Sequence, residues 1–296
     1  MEETCMERKD IIIYQGNQAM PGILRLPDRA DPAPAVVFTN GYCAYMEMYD
    51  DMAEAFCKAG YVTLQYEPRG ARGSEFGQLL CGTVWLEDAS AAISFVWGQP
   101  QVDKKRIGLA GVSMGGATTV RQGAIDPRIK CLMAMAPVDS WSDIMEHFWT
   151  LNRGKDAYEE WVNEMYEDAA RVAMGFPSRV VGGGYGCRGV ENDPAAEAEE
   201  LAEHPYKVQK LPITSIFNSF MYVKAAEAAR SIQKPLCVVH GTADPICPQS
   251  CGQRIYDNAP TQNKALHFLE GAGHVLPEER PEECIAIGLD WFDRYL

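Results

Sequence analysis

The sequence predicts an α/β protein with a mostly parallel central sheet and helices on both of its faces. Short, nearly continuous apolar runs recur along the chain, which is typical of parallel strands that are covered on both sides. Helical segments alternate with these runs. The length of 296 residues and the apolar fraction of 47% allow one such domain with a sizeable core and an insertion.

The predicted elements follow one another in a regular order. Segments 10–14 and 22–26 predict a leading hairpin, because Gly16-Asn17 lies between them. Six further strands are predicted at 35–39, 61–66, 106–110, 129–136, 235–239 and 264–269. Helices are predicted at 48–59, 83–97, 114–123, 248–258 and 281–295. Gly60 and Gly98 follow the first two helices, as glycine commonly does at a helix C-terminus.

Residues 138–215 interrupt this alternation and show no convincing strand. The segment has a helical pattern at 156–173 and 194–203, many aromatic side chains, and a glycine run at 182–186 that is typical of a loop. A stretch this long inside a compact domain commonly covers a site. We therefore predict two units, a core formed by 1–137 and 216–296 and a helical cap or lid formed by 138–215.

A candidate nucleophile lies in the motif Gly111-Val112-Ser113-Met114-Gly115, which fits the pattern G-x-S-x-G. Ser113 follows a predicted strand and precedes a predicted helix. A tight turn at this position pushes the hydroxyl outward, and the N-terminus of the following helix favours negative charge. Because the motif is short, its meaning depends on partners elsewhere in the chain.

A serine hydroxyl needs a base, and the base needs an orienting carboxylate. Asp244 lies just past the end of the strand at 235–239, and His274 lies in a glycine-rich turn after the strand at 264–269. Ser113, Asp244 and His274 are thus candidates for a nucleophile, an acid and a base, in that chain order.

Other residues compete for these roles. Asp139, which follows the strand after Ser113, and Glu270 stay open as alternative acids. His240 lies at a strand end and is interpreted as structural, while His267 lies inside a strand and is expected in the core.

The motifs resemble those of the α/β-hydrolase superfamily of serine hydrolases. The resemblance rests on Gly-Val-Ser-Met-Gly at 111–115, His-Gly-Thr-Ala-Asp-Pro at 240–245 and Gly-Ala-Gly-His at 271–274, supported by 39–42 and 67–74, and it covers 10–137 and 215–296. It implies an oxyanion hole formed by the backbone N–H groups of Tyr42 and Met114. Asn40 and Glu67 depart from the family pattern, in which histidine and aspartate are commoner at these positions.

Within the superfamily, the Arg-Gly-x-x-Gly-Ser segment and the insertion resemble carboxylesterases, feruloyl-esterase-like enzymes and X-Pro dipeptidyl peptidase-like hydrolases. The resemblance implies hydrolysis of a small-molecule carboxylic ester through an acyl-enzyme, with no cofactor and no metal. Cleavage of a peptide or amide, thioester hydrolysis and acyl transfer stay open as alternatives, as does a non-catalytic binding role.

Charge and cysteine content restrict partners and location. The net charge of −14 disfavours binding to nucleic acid or to an anionic membrane. No apolar run reaches about 18 residues, and the first residues lack the pattern of a signal peptide. The ten cysteines are scattered, and Cys247 and Cys251 have no neighbouring cluster of metal ligands. We therefore expect a cytoplasmic protein, and the sequence leaves its oligomeric state open.

Overall fold

The computed structural model describes residues 6–42, 44–70, 81–182 and 210–296. The strands of these residues are β1 (Glu7–Gln15), β2 (Gln18–Leu26), β3 (Ala33–Thr39), β4 (Val62–Tyr66), β5 (Val102–Val112), β6 (Cys131–Met135), β7 (Val180–Gly182), β8 (Lys210–Pro212), β9 (Leu236–Gly241) and β10 (Lys264–Leu269). Eight of them form one sheet in the order β1-β2-β4-β3-β5-β6-β9-β10. The pairs β1–β2 and β2–β4 are antiparallel, and the other pairs are parallel. The predicted α/β class with a mostly parallel sheet is confirmed.

The described helices alternate with the strands. They are α1 (Asp50–Lys58), α2 (Val84–Trp97), α3 (Met114–Ile125), α4 (Trp141–Arg153), α5 (Lys155–Ala173), α6 (Ile213–Tyr222), α7 (Ala225–Ala229), α8 (Ser250–Asn258), α9 (Leu276–Glu279) and α10 (Pro281–Tyr295), with a 3₁₀ turn at Met46–Tyr49 before α1. Gly60 after α1 has φ +98°, which glycine adopts readily, whereas Gly98 after α2 has φ −78°. None of these helices is both long and apolar enough to span a bilayer.

Successive residues of the central strands face opposite sides of the sheet, and both sides are buried. Val37 of β3 is paired with Leu109 of β5, and both lie in the core on one face. The next pair, Phe38 and Ala110, lies in the core on the other face. Coverage on both faces explains why these strands read as nearly continuous apolar runs.

The strand β10 lies at one edge of the sheet and differs from the central strands. Its residues His267 and Phe268 are exposed, because the sheet ends here and the described helices leave these side chains open to solvent. The expectation that His267 lies in the core is therefore wrong. The apolar run at 264–269 predicted the strand correctly, but it did not reveal that the strand is at an edge.

The segment 138–215 adds no described strand to the eight-stranded sheet. It contains α4 and α5, and its strands β7 and β8 form a separate antiparallel pair, so the expectation that it has no strand is wrong. Strands of three residues are too short to show an alternating pattern. Trp149 of α4 stacks on Trp161 of α5 at 5.2 Å between ring centroids, and Phe220 of α6 packs edge-on against Trp161.

Two of the sequence-based predictions for this segment cannot be compared with the structure. The predicted helix at 194–203 and most of the glycine run at 182–186 lie outside the described residues. The division into a core and a cap stays a prediction.

Candidate active site

Ser113 occupies a strained turn between β5 and α3. Its backbone angles are φ 59° and ψ −120°, a conformation that L-residues rarely adopt and that costs about 1–3 kcal/mol. The turn is held on both sides: Ser113 N–H donates to the Met135 carbonyl at 2.9 Å, and its own carbonyl accepts from Ala117 and Val138. Such a turn presents the serine side chain away from the sheet, as the G-x-S-x-G motif predicts.

The glycines of the motif allow α3 to lie directly against β3. A Cβ on Gly115 would be 2.0 Å from the Thr39 carbonyl oxygen. A Cβ on Gly111 would be 2.2 Å from Thr39 Oγ1 and 2.5 Å from the Gly115 carbonyl oxygen. Both contacts are far inside van der Waals distance, so the turn can form only with glycine at these two positions.

We expect Gly115→Ala to lower the free energy of unfolding by at least about 3 kcal/mol, since backbone atoms cannot move aside for the new methyl group. Gly98→Ala is the matched control, because its φ is −78° and the nearest atom to a Cβ is 3.4 Å away. The control should change stability by less than about 1 kcal/mol. Urea unfolding of both variants measures this, and equal effects would contradict the close approach at Gly115.

Asp244 and His274 meet at the carboxyl ends of β9 and β10. His274 Nδ1 lies 2.7 Å from Asp244 Oδ2, and the Asp244 side chain is fully buried. The other carboxylate oxygen, Oδ1, accepts hydrogen bonds from the backbone N–H groups of Ile246 and Cys247 at 2.8 and 2.9 Å. The Asp244 carboxylate is thus fixed by its own turn and directed at the imidazole.

The loop that carries His274 is held from both sides by Glu279. The Glu279 carboxylate accepts hydrogen bonds from the N–H groups of Gly273 and Val275, the two neighbours of His274. The end of β9 also approaches this loop, because a Cβ on Gly241 would be 2.3 Å from the carbonyl oxygens of Ala272 and Gly273. Glu279 has no signal in the sequence, because a glutamate in a short helix forms no distinctive pattern.

The environment of Asp244 favours its ionised form. Burial alone would raise the pKa of this carboxyl, but hydrogen bonds from His240 and His274, the charge of His274 and the Cys247 N–H outweigh burial and hold the pKa well below its usual range. His240 is fully buried, with Nε2 at 2.8 Å from the Cys247 carbonyl and 3.5 Å from Asp244 Oδ2. Its interpretation as a structural residue agrees with these contacts.

The lowered pKa of Asp244 leads to a prediction about stability and pH. When unfolded, this carboxyl has the ordinary aspartate pKa near ~4, so its ionised form stabilises the fold above that pH. This contribution is lost as the pH falls through the lower folded-state pKa. The difference in the free energy of unfolding between wild type and Asp244→Asn should therefore shrink from about pH 7 to about pH 3 in urea titrations. A constant difference would contradict this assignment.

The alternative acids have other neighbours. Asp139 is buried and forms an ion pair with Arg254 of α8. Glu270 is exposed at the end of β10, and its carbonyl accepts from Arg280. Of the three carboxylates that the sequence offers, Asp244 is therefore the one that the structure brings into contact with His274.

Ser113 and His274 line the same cavity, whose volume is about 230 Å³. Its lining includes Gly41 and Tyr42, from the loop after β3. The remaining described lining residues are mostly apolar or aromatic: Ala44, Tyr45, Met48, Val112, Val138, Trp141, Ile144, Met145, Ile246, Cys247, Val275 and Glu278. Trp141, Ile144 and Met145 belong to α4, so the segment 138–215 supplies one wall.

The two residues expected to form the oxyanion hole lie beside Ser113. Met114 is the first residue of α3, so its N–H has no acceptor within the helix. The loop that carries Tyr42 also comes close, because a Cβ on Gly41 would be 3.4 Å from Ser113 Cβ. The oxyanion hole formed by these two N–H groups stays a prediction.

The two departures from the family pattern contact each other. Asn40 Nδ2 donates to Glu67 Oε2 at 3.1 Å, and both side chains are buried. Glu67 Oε1 accepts from the Met46 N–H at 2.7 Å. The pair therefore ties together both ends of the loop that contains Tyr42, so the two changes act as one alternative way of fixing this loop.

Asp244, Cys247 and His274 form the one group among the described residues with the spacing of metal ligands, their donor atoms lying within 4.8 Å of one another. The Asp244 Oδ2 and His274 Nδ1 atoms are already hydrogen-bonded to each other. This arrangement is suited to an acid–base pair, in which the carboxylate orients the imidazole.

The fold and the strained serine after β5 define the class: the protein is an α/β hydrolase. More specifically, the chain belongs to the family described as serine aminopeptidase, S33, whose model matches residues 30–281.

The chain is similar to known proteins over most of its length. A 31.7 kDa protein from the traX-finO intergenic region of Escherichia coli is 26% identical over 288 residues, covering 92% of this chain and 94% of that protein. A thiohydrolase of Eupenicillium brefeldianum is 22% identical over 257 residues, covering 82% and 79%. The solved structure of DcsB in complex with its substrate analogue has a TM-score of 0.80 at 19% identity, covering 98% of this chain and 100% of that one, which supports the fold alone.

Proposed function

We propose that the protein is a serine hydrolase that cleaves a carboxylic ester through a covalent acyl-enzyme. One observation carries the proposal: the strained Ser113 and His274, whose imidazole is paired with Asp244, line the same apolar cavity. A nucleophile at a strand-to-helix turn, a base oriented by a buried carboxylate and an enclosed acyl site are the parts that acyl transfer needs.

The mechanism follows from the positions of these groups. His274 accepts the Ser113 proton as the hydroxyl oxygen attacks the ester carbonyl, and Asp244 stabilises the imidazolium. The N–H groups of Tyr42 and Met114 bind the oxyanion of the tetrahedral intermediate. His274 then protonates the leaving alcohol, which completes formation of the acyl-enzyme. In the second half of the reaction, His274 activates the water that hydrolyses the acyl-enzyme and releases the acid.

The cavity limits the acyl group. Its volume of about 230 Å³ is below the range of ~300–1,000 Å³ that is common for pockets of drug-sized ligands, and its walls are mostly apolar. We therefore expect short acyl chains to react better than long ones. Trp141, Ile144 and Met145 of α4 are the wall that a longer chain would meet.

Thioester hydrolysis is the second candidate, favoured by the similarity to a thiohydrolase. The same acyl-enzyme chemistry serves both substrates, since they differ in the leaving group. Peptide cleavage is the third, because the family takes its description from an aminopeptidase.

A matched substrate series tests the proposal. Rates are measured on p-nitrophenyl esters of increasing chain length, on the corresponding acyl thioesters, and on amino-acid and Xaa-Pro anilides, each with wild type and Ser113→Ala. We expect Ser113-dependent turnover that is fastest on short oxygen esters. Turnover of thioesters alone, or of anilides alone, would replace the ester proposal with the corresponding alternative, and absence of any turnover would contradict it.

A further inference from the structure

The cavity beside Ser113 contains one feature that the proposed chemistry does not use. Glu278 is the one carboxylate among the described residues that line the cavity, and these residues include no lysine or arginine. Acyl transfer by Ser113 and His274 does not require a carboxylate at this position. Glu278 is therefore free to act on the substrate.

The position of Glu278 is fixed by its surroundings. It belongs to α9, which starts immediately after the His274 loop, and its backbone N–H donates to the Val275 carbonyl. Its carboxylate accepts a hydrogen bond from the hydroxyl of Tyr45, which also lines the cavity. A carboxylate can accept about four hydrogen bonds, so most of its capacity is left for another partner.

The neighbouring charges do not neutralise Glu278. Glu279 is engaged with the Gly273 and Val275 N–H groups, and Arg280 forms an ion pair with Glu283. No described ion pair includes Glu278. Among the described residues, Glu278 thus brings a carboxylate without an ion-pair partner to the cavity, in a protein whose net charge is −14.

Glu278 is exposed, so its negative charge at the edge of the apolar cavity attracts cations through solvent, which weakens the attraction. Aromatic rings strengthen this effect through their negative faces. Tyr42, Tyr45 and Trp141 all line the cavity, and the rings of Tyr42 and Trp141 are 4.9 Å apart between centroids. Carboxylate and aromatic groups together are the usual surroundings of a bound ammonium group.

We propose that Glu278 selects esters that carry an ammonium group, holding the cation at the opening while the ester carbonyl lies at Ser113. This inference rests on the proposed ester hydrolysis and adds the substrate class. The cation can belong to either half of the ester, since the same carboxylate serves an acyl-side or an alcohol-side ammonium.

Two isosteric substrate pairs test the inference and distinguish the two halves. The acyl-side pair is the p-nitrophenyl ester of trimethylammoniobutyric acid and its analogue with tert-butyl in place of trimethylammonium. The alcohol-side pair is acetylcholine and its tert-butyl analogue. In at least one pair we expect wild type to favour the cation by about 5-fold or more in kcat/KM, an effect that added salt weakens.

Variants of Glu278 show whether this residue causes the preference. Glu278→Gln should reduce the ratio to about 1, and Glu278→Lys should reverse it in favour of the neutral ester. Glu282→Gln is the matched control: it removes one exposed carboxylate from the next helix, outside the cavity, and should keep the wild-type ratio.

A binding measurement separates this inference from the ester proposal. Calorimetric titration of butyltrimethylammonium into Ser113→Ala should show binding that Glu278→Gln weakens by about 5-fold or more. Glu278-dependent binding without ester turnover would contradict the proposed reaction and leave the cation site standing. A different result would overturn the cation site alone. In that case neutral esters are hydrolysed, the ratio of kcat/KM between cationic and neutral ester is the same in wild type and Glu278→Gln, and butyltrimethylammonium does not bind.

Discussion

Ser113→Ala is expected to lower kcat for p-nitrophenyl esters by about 10⁴-fold or more. The substitution removes the only atom that can form the acyl-enzyme in the proposed mechanism, and loss of a serine nucleophile commonly costs this much or more. Residual turnover over the uncatalysed rate would come from the oxyanion donors and from binding. Alanine keeps the turn small, so the variant should remain folded.

The control for this experiment is Ser94→Ala, on the outer side of α2. Ser94 Oγ donates to the Ser90 carbonyl and does not line the cavity. This variant should keep kcat within about 2-fold of wild type. If Ser113→Ala retained more than about a tenth of wild-type kcat, Ser113 could not be the nucleophile.

Asp244→Asn is expected to lower kcat by about 10⁴-fold while leaving the fold intact, by analogy with other serine–histidine–aspartate sites. The asparagine oxygen can still accept from the Ile246 and Cys247 N–H groups, which preserves the turn. Its amide nitrogen would then face His274 Nδ1 as a donor. The imidazole would be forced into the tautomer that carries its proton on the nitrogen needed by Ser113.

Asp139→Asn is the matched control, since Asp139 is the other residue with a buried side chain among the three candidate acids. Its partner Arg254 is half exposed and can be solvated when the charge is lost. We expect kcat within about 10-fold of wild type. A large loss in Asp139→Asn together with a small one in Asp244→Asn would move the acid to position 139.

Much of the fold was predictable, because a strand that is buried on both faces consists almost entirely of apolar residues. The parallel strands of the eight-stranded sheet appear as apolar runs, and the elements that carry Ser113, Asp244 and His274 follow from those runs. What a run of six residues cannot show is its place in the sheet. For this reason the run predicts a core position for His267, although β10 lies at the edge of the sheet and His267 is exposed.

The same distinction applies to the candidate site, where some residues lie in recognisable sequence motifs and others do not. Ser113, Asp244 and His274 could be located because each lies in a glycine-containing motif with steric demands, such as the approach of Gly115 to Thr39. Glu279 and Glu278 have no such pattern. Glu279 holds the His274 loop through local hydrogen bonds, and a glutamate in a short helix is not distinctive in the sequence. Glu278 contacts Tyr45 across more than two hundred residues of chain, and this contact depends on the packing of distant segments, which no local pattern encodes.

The most direct test of the proposed mechanism is to locate the covalent adduct formed with a fluorophosphonate. Wild-type protein is treated with the reagent until ester hydrolysis stops, digested, and the modified residue is identified by mass spectrometry. The proposal predicts one adduct, on Ser113, whose formation is abolished in Ser113→Ala and strongly slowed in Asp244→Asn. Failure to label, or inactivation through a residue other than Ser113, would contradict it.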